Sequence, residues 1–290
     1  MTVTSLVAAT SLRALPRKRI SRLMGQLARV EAPDPILAAL MRVYCRAYGV
    51  DLSECEIPRG GFTSFDAFFT RRLKPGARVI DMDPNTIVSP ADGRVDDWGV
   101  IEPGAVFRVK GKTYDVAELL GDQAAGAEMV GGLFAVVYLS PRDYHRVHAP
   151  VTGRVTAVRH VPGTLFPVNA IGVAHVPKLL ARNERVVVHQ RSPEHGHVVS
   201  VLVGAVGVGR ISLSFDDSVI TNDGRASGLR VYGDDPPALE RGEELGVFHL
   251  GSTVVLLVAK GAERSFVPAP GDHVRMGRPL LRAAPGGGAS

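Results

Sequence analysis

The sequence predicts an α+β fold: a mainly antiparallel β core preceded by an N-terminal helical region suited to associating with a membrane. Two patterns predict it. Up to about residue 60, apolar side chains recur at three- and four-residue spacings, the period of an amphipathic helix. From about Thr86 onward, short apolar segments alternate with Gly, Pro and Asp turns, the texture of short antiparallel strands. Composition agrees, because 32 glycines and 20 prolines in 290 residues disfavour a helical bundle. That length suffices for one large domain or two small ones with a buried core. Two cysteines, Cys45 and Cys55, are too few for a disulfide framework, so reduced thiols in a cytosolic compartment are the simplest assumption.

The formal net charge of +5 is unevenly spread: Arg13, Arg17, Lys18, Arg19, Arg22 and Arg29 all precede the first acidic residue, Glu31. No apolar run reaches the roughly 18 residues of a membrane span. The mildly apolar stretch from Ser5 to Leu15 is followed by no small-residue cleavage site, which argues against a secretory signal. Over Arg17 to Val30, Ile20, Leu23, Met24 and Leu27 share one helical stripe with the basic residues mostly off it. Two readings fit that pattern: a helix lying in the headgroup layer of an anionic membrane, or one packed on its own domain. Nucleic acid is a weaker partner, since aromatics do not interleave the basic residues.

A second helix is expected with Asp34 as its cap, Pro35 in its first turn, and Gly49 as its stop. Its apolar face would be Ile36, Leu37, Leu40, Met41 and Tyr44, with Cys45 near that face. Phe62 to Lys74 reads as a short aromatic and basic helix, with Phe65, Phe68, Phe69 and Arg72 aligned; core packing or a lipid interface would each use those rings. The strands expected next include Phe134–Leu139, Arg154–Val158, Arg185–Val188, Val198–Val203 and Ser252–Val258.

Three places carry chemistry. In Ser140-Pro141-Arg142-Asp143-Tyr144-His145-Arg146-Val147-His148-Ala149-Pro150, the histidines are spaced as H-x-x-H, yet a third metal ligand is missing at any recognisable spacing. Neutral imidazole acting as a general base is the better use of the cluster. Ser89-Pro90-Ala91-Asp92-Gly93 reads as a hairpin turn, and a carboxylate placed there could also orient a histidine. Finally, Gly251-Ser252 opens an apolar strand. Such a pair is most often a turn, but a serine hydroxyl after an unhindered glycine carbonyl can also attack its own chain. Gly204 to Gly209 is rejected as a dinucleotide loop because the alternation after it is that of a strand, not a helix. His189, His195 and His197 read as exposed loop histidines.

Taken jointly, these segments resemble the phosphatidylserine decarboxylase proenzymes of the pyruvoyl-dependent, membrane-associated bacterial type. The resemblance is carried by Phe65–Leu73, Ser89–Gly93, Leu139–Pro150, Val161–Asn169, Ala181–Val186, Val203–Ala205 and Leu250-Gly251-Ser252-Thr253, all in family order. It implies that Ser252 is the self-cleavage nucleophile, that His148 is its base and that Asp92 orients the histidine. Cleavage between Gly251 and Ser252 would leave a β chain, 1–251, and an α chain, 252–290, headed by a pyruvoyl group made from Ser252. His145 would lie near the substrate. The implied reaction converts phosphatidylserine to phosphatidylethanolamine, in phospholipid biosynthesis, through a Schiff base with the pyruvoyl ketone, needing neither metal nor pyridoxal cofactor. The partners implied are an anionic lipid, the chain's own two fragments and, on family grounds, a second copy in a homodimer. The location implied is the cytoplasmic side of the cell membrane, peripherally bound. The domain reading that follows is a membrane-associating helical region over 1–60, a catalytic domain over 61–284 and a disordered tail over 285–290. Residues 222–240 match the family only loosely.

Other functions would need other features. A serine hydrolase using Asp92, His148 and Ser252 would want a Gly-x-Ser-x-Gly elbow, which Gly251-Ser252-Thr253-Val254 does not supply. A non-catalytic lipid-binding protein would not need the Gly-Ser pair, and a decarboxylase of soluble amino acids would not need the basic amphipathic entry.

Overall fold

The computed structural model describes residues 17–31, 33–168, 170–206, 210–222, 228–249 and 251–284. The stretch 5–15, the Gly207–Gly209 run and the tail 285–290 lie outside them. Among the described residues the fold is α+β and its sheets are antiparallel, as expected.

Two helices lead, α1 (Arg17–Ala28) and α2 (Asp34–Tyr48). The second begins at Asp34 rather than being capped by it. Pro33 holds the cap position without a side-chain bond, and Gly49 ends the helix in the left-handed region at φ 69°. The expected apolar face of α2 is only partly covered: Leu37 is buried, whereas Ile36 and Leu40 are 63% and 50% exposed. Contact with the rest of the protein runs instead through Tyr44, whose ring meets Phe65, Phe68 and Phe69 edge-on at 5.1, 5.8 and 6.4 Å.

Those rings belong to α3 (Phe65–Phe69), far shorter than the helix expected over 62–74. Ser64 caps its start, accepting from the Ala67 N–H at 3.1 Å. At its end the chain leaves to pair with residues 54–56, the Glu56 N–H bonding the Arg72 carbonyl and the Lys74 N–H bonding that of Glu54. Those cross-chain bonds replace the next helical turn.

Seventeen strands follow among the described residues. They are β1 (Thr86–Val88), β2 (Gly93–Val100), β3 (Val106–Val109), β4 (Lys112–Asp115), β5 (Leu133–Leu139), β6 (Arg146–His148), β7 (Gly153–Val161), β8 (Arg185–Ser192) and β9 (Gly196–Gly204), then β10 (Arg210–Leu213), β11 (Leu229–Val231), β12 (Ala238–Leu239), β13 (Glu244–His249), β14 (Ser252–Val258), β15 (Arg264–Phe266), β16 (His273–Val274) and β17 (Pro279–Ala283). A nine-stranded sheet runs in the order β11-β7-β8-β9-β14-β5-β2-β16, with β12 also on β7. Two three-stranded sheets, β10-β13-β6 and β1-β17-β15, accompany it.

Strand β14 lies at the heart of the large sheet, laddered to β5 on one side and β9 on the other, and every residue of it is buried. Its alternation serves apolar clusters on both faces of the sheet. Val255 and Leu257 pack with Phe107, Leu119 and Leu180, whereas Val254 packs on the opposite face with Leu139, Val147 and Phe248. Burying each such side chain contributes roughly 1.5–3 kcal/mol, so the strand that begins at Ser252 is among the most firmly held in the fold.

Two expectations are corrected. Ser89 to Asp92 is a bend between strands of different sheets, β1 and β2, rather than a hairpin turn. Gly93 is needed there for close approach, because a Cβ would stand 2.5 Å from the Tyr138 carbonyl oxygen. His189, His195 and His197 are buried, not exposed. The β8–β9 ladder continues to Ser192 and Gly196, which draws these side chains into packed surroundings.

Candidate active site

The apolar cluster beneath β14 gathers the flanks of all three triad candidates. It contains Ala91 beside Asp92, Val147 and Ala149 on either side of His148, Leu139 opposite Ser252 in the ladder, and Val254 on the same strand face as Ser252. The His148 N–H also bonds the Pro90 carbonyl at 2.8 Å, tying β6 to the Asp92 bend.

His148 is buried, and its ring has two defined partners. Nδ1 lies 2.8 Å from the Gly242 carbonyl, and Nε2 lies 3.2 Å from the Tyr144 hydroxyl. A carbonyl only accepts, so Nδ1 carries the proton, and the neutral ring offers its lone pair at Nε2 to the tyrosine. Burial pushes the His148 pKa down; the Gly242 carbonyl, Glu244 and Asp92 pull the other way without cancelling it. At neutral pH the imidazole is therefore uncharged, the form a general base requires. Gly242 reaches this position with φ at 82°, and its neighbour Arg241 holds the turn by donating to the Asp81 and Asp83 carbonyls at 3.1 and 2.6 Å.

The Asp92 carboxylate is engaged elsewhere. It accepts from Arg78 Nε at 3.0 Å, from Arg78 Nη2 at 2.5 Å and from the Met276 N–H at 2.8 Å. Burial works against the Arg78 charge, yet Asp92 and Glu54 outweigh it and hold the guanidinium above its ordinary pKa. The influence of Asp92 on His148 is thus Coulombic; the ring is oriented by the Gly242 main chain.

Ser252 is fully buried and its hydroxyl has no hydrogen-bond partner among the described residues. Among the described residues no hydrogen bond joins it to His148. Gly251, just upstream, has φ at 36°, a conformation that favours glycine. The Gly251-Ser252 step is also where the chain changes sheets: β13 pairs with β10 and β6, and β14 pairs with β5 and β9. A buried hydroxyl left without a hydrogen-bond partner costs stability whatever its role, so its presence calls for an explanation.

His145 lies fully buried, its ring stacked on Phe69 with centroids 4.0 Å apart. Burial, with Arg71 adding to it, pushes its pKa down to about 3, so it stays neutral. The turn before it is fixed by Asp143, which accepts from both the N–H and hydroxyl of Ser140 at 2.7 Å. Helical-region residues brace the same turn, Tyr44 donating to the Pro141 carbonyl and Arg71 to those of Arg142 and Asp143. No group of three or more His, Cys, Asp or Glu side chains is placed to hold a metal among the described residues.

The family model for phosphatidylserine decarboxylase matches residues 65–282, the stretch that holds Arg78, Asp92, Tyr144, His145, His148, Gly242 and Ser252. The chain belongs to the phosphatidylserine decarboxylase family. Curated relatives named phosphatidylserine decarboxylase proenzyme include one from Anaeromyxobacter sp., 44% identical over 95% of this chain and 98% of its own length. Another, from Xanthomonas axonopodis pv. citri, is 43% identical over 92% of this chain and 96% of its own, and one from Marinobacter nauticus is 43% identical over 85% and 87%. Sequence reasoning within this decarboxylase family missed Arg78, Tyr144 and Gly242 as partners of the site. Only Tyr144 left a signal, its place inside the histidine cluster.

Proposed function

We propose that this protein decarboxylates phosphatidylserine to phosphatidylethanolamine, using a pyruvoyl group that it makes by cutting its own chain between Gly251 and Ser252. One observation carries the reading: a buried serine hydroxyl without a partner among the described residues, directly after a positive-φ glycine at a junction between two sheets. In the cleavage, Ser252 Oγ attacks the Gly251 carbonyl as its proton passes to His148. The C–N bond breaks and the freed amine takes a proton, leaving an ester. Loss of the Ser252 α-proton then expels the Gly251 carboxylate, and water replaces the resulting enamine nitrogen, released as ammonia. His148 Nε2 is the atom suited to the first proton, and Tyr144 must yield its bond to that nitrogen for this to happen.

The residues present fit the pyruvoyl group, since Ser252 sits beside apolar neighbours with Leu139 and Gly204 across the ladders. Once formed, the group supplies a ketone conjugated to an amide, an electron sink for the pair left behind by carbon dioxide. In this reading His148 returns a proton to the substrate carbon.

Apolar residues stay exposed on the leading helices: Leu23, Met24 and Leu27 of α1, and Ile36, Leu40 and Val43 of α2. With the flanking arginines, that surface suits peripheral seating on the cytoplasmic face of an anionic membrane. No described helix is long and apolar enough to cross a membrane.

Intact-mass analysis tests the central step. Purified wild-type protein should yield two chains, the shorter one blocked by pyruvoyl, and Ser252→Ala should remain whole. A single uncut wild-type chain, or carbon dioxide released from free serine as readily as from phosphatidylserine, refutes the reading.

A further inference from the structure

His249 stands two residues upstream of the scissile step and takes no part in the chemistry above, yet it is tied down from several directions. Its Nδ1 lies 2.9 and 3.0 Å from the two carboxylate oxygens of Asp66, a residue 183 positions away on α3. A carboxylate only accepts, so Nδ1 carries a proton. Nε2 faces the Ser212 hydroxyl at 3.2 Å, and Arg210 Nη2 lies 3.2 Å from both ring nitrogens. The backbone is held too: His249 pairs with Arg210 at the end of the β10–β13 ladder, and the preceding Phe248 N–H bonds the His145 carbonyl at 3.0 Å.

The anchor itself is rigid. Helix α3 is capped by Ser64, and Phe68 and Phe69 are 0% and 1% exposed, with Phe69 stacked on His145. On the other side of the scissile bond, Ser252 is fixed by ladders to both Leu139 and Gly204. Only residues 250 and 251 span the gap between the two anchors. Moving one anchor moves the Gly251 carbonyl relative to the Ser252 hydroxyl, and attack depends steeply on that separation.

We propose that Asp66 and His249 form a clamp on the scissile segment. They are positioning residues: they hold the end of β13 so that the Gly251 carbonyl stays within reach of Ser252, and after the cut they retain the new C-terminus of the upstream chain. The inference rests on the self-cleavage reading. It also gives α3 a task that its aromatic residues alone do not explain, linking the helical region to the cleavage site.

The clamp is tested by following self-cleavage during cell-free synthesis of the full chain, read by intact mass and by fragment yield on denaturing gels. Asp66→Asn removes the carboxylate charge and His249→Gln replaces the rigid ring with a flexible amide, so each weakens the contact at nearly constant volume. Each should slow cleavage roughly 10- to 100-fold, the scale expected from a small misplacement of reacting groups. His249→Lys keeps a hydrogen-bond donor opposite Asp66 but is protonated at neutral pH and cannot act as a base; it should cleave within about threefold of wild type, a loss well under 1.4 kcal/mol. Far-UV circular dichroism confirms that each variant is folded, and added hydroxylamine, which cleaves esters, should not accelerate fragment formation in the slow variants, because they stall before the ester forms. Wild-type rates in both Asp66→Asn and His249→Gln overturn the clamp. So does a folded His249→Lys as slow as His249→Gln, which would make the ring itself a proton carrier. An uncut wild-type chain fails the self-cleavage reading instead, so the two failures are distinguishable.

Discussion

The pairing of Asp92 with Arg78 leads to a prediction about stability that differs from that of a carboxylate bonded to the histidine. The two side chains are 11% and 9% exposed, so removing either partner strands a charge with little water to screen it. Breaking such a buried pair costs about 3–5 kcal/mol. The low end applies here, because Arg78 keeps Glu54 at 2.8 Å and the 92 side chain keeps the Met276 N–H. We expect Asp92→Asn and Arg78→Met each to lower unfolding free energy by about 3 kcal/mol. For a chain of 290 residues that is a fall of about 5 °C in Tm. The double variant should cost at least about 2 kcal/mol less than the two single losses added, since it leaves no stranded charge. The assay is thermal and denaturant unfolding in a Ser252→Ala background, which keeps every sample as one uncut chain. Strict additivity, or single losses below about 0.5 kcal/mol, would refute the assignment of Asp92 to Arg78.

Three further outcomes follow from the same geometry. His145, His189 and His195 are buried with pKa values pushed down by burial to about 3, 4 and 4, so they stay neutral when the unfolded chain takes up protons near pH 6.5. The unfolded state then binds more protons, and stability of the Ser252→Ala chain should drop as pH falls from about 6.5 to 4.5, by up to about 1.4 kcal/mol per pH unit for each histidine; a flat denaturation profile over that window contradicts it. Gly242→Ala places a Cβ 2.8 Å from Ile80 Cδ1 at a φ of 82°, displacing the carbonyl that fixes the His148 tautomer; self-cleavage should slow by roughly 100-fold or more, on the scale of general-base catalysis, and an unchanged fragment yield with time rules this out. Leu23→Glu with Leu27→Glu replaces apolar side chains 56% and 62% exposed on α1, so co-sedimentation with phosphatidylglycerol vesicles should fall at least about tenfold while self-cleavage proceeds; undiminished sedimentation removes α1 from the membrane surface.

Local sequence determined a good deal by itself. Short continuous apolar runs bounded by Gly, Pro and Asp turns located β5, β8, β9 and β14, because a strand covered on both faces reads as an almost unbroken apolar stretch. Gly49 marked its helix end through a conformation that glycine adopts without strain, whereas the cleavage step at Gly251-Ser252 was implied only by the family resemblance that this pair carries together with Asp92 and His148. Tertiary structure decided how those residues are held. Asp92 turns to Arg78 and the Met276 main chain, His148 takes its tautomer from the carbonyl of Gly242, and Asp66 meets His249 across 183 residues. The burial of His189, His195 and His197 was likewise invisible, since polar residues near a turn look the same whether or not a ladder continues beneath them. The reason is common to all of these. Periodicity and turn chemistry record what a residue meets within a few positions, whereas hydrogen-bond partners far apart in sequence are set by sheet register and by which strands change sheets, and those exist only once the chain has folded.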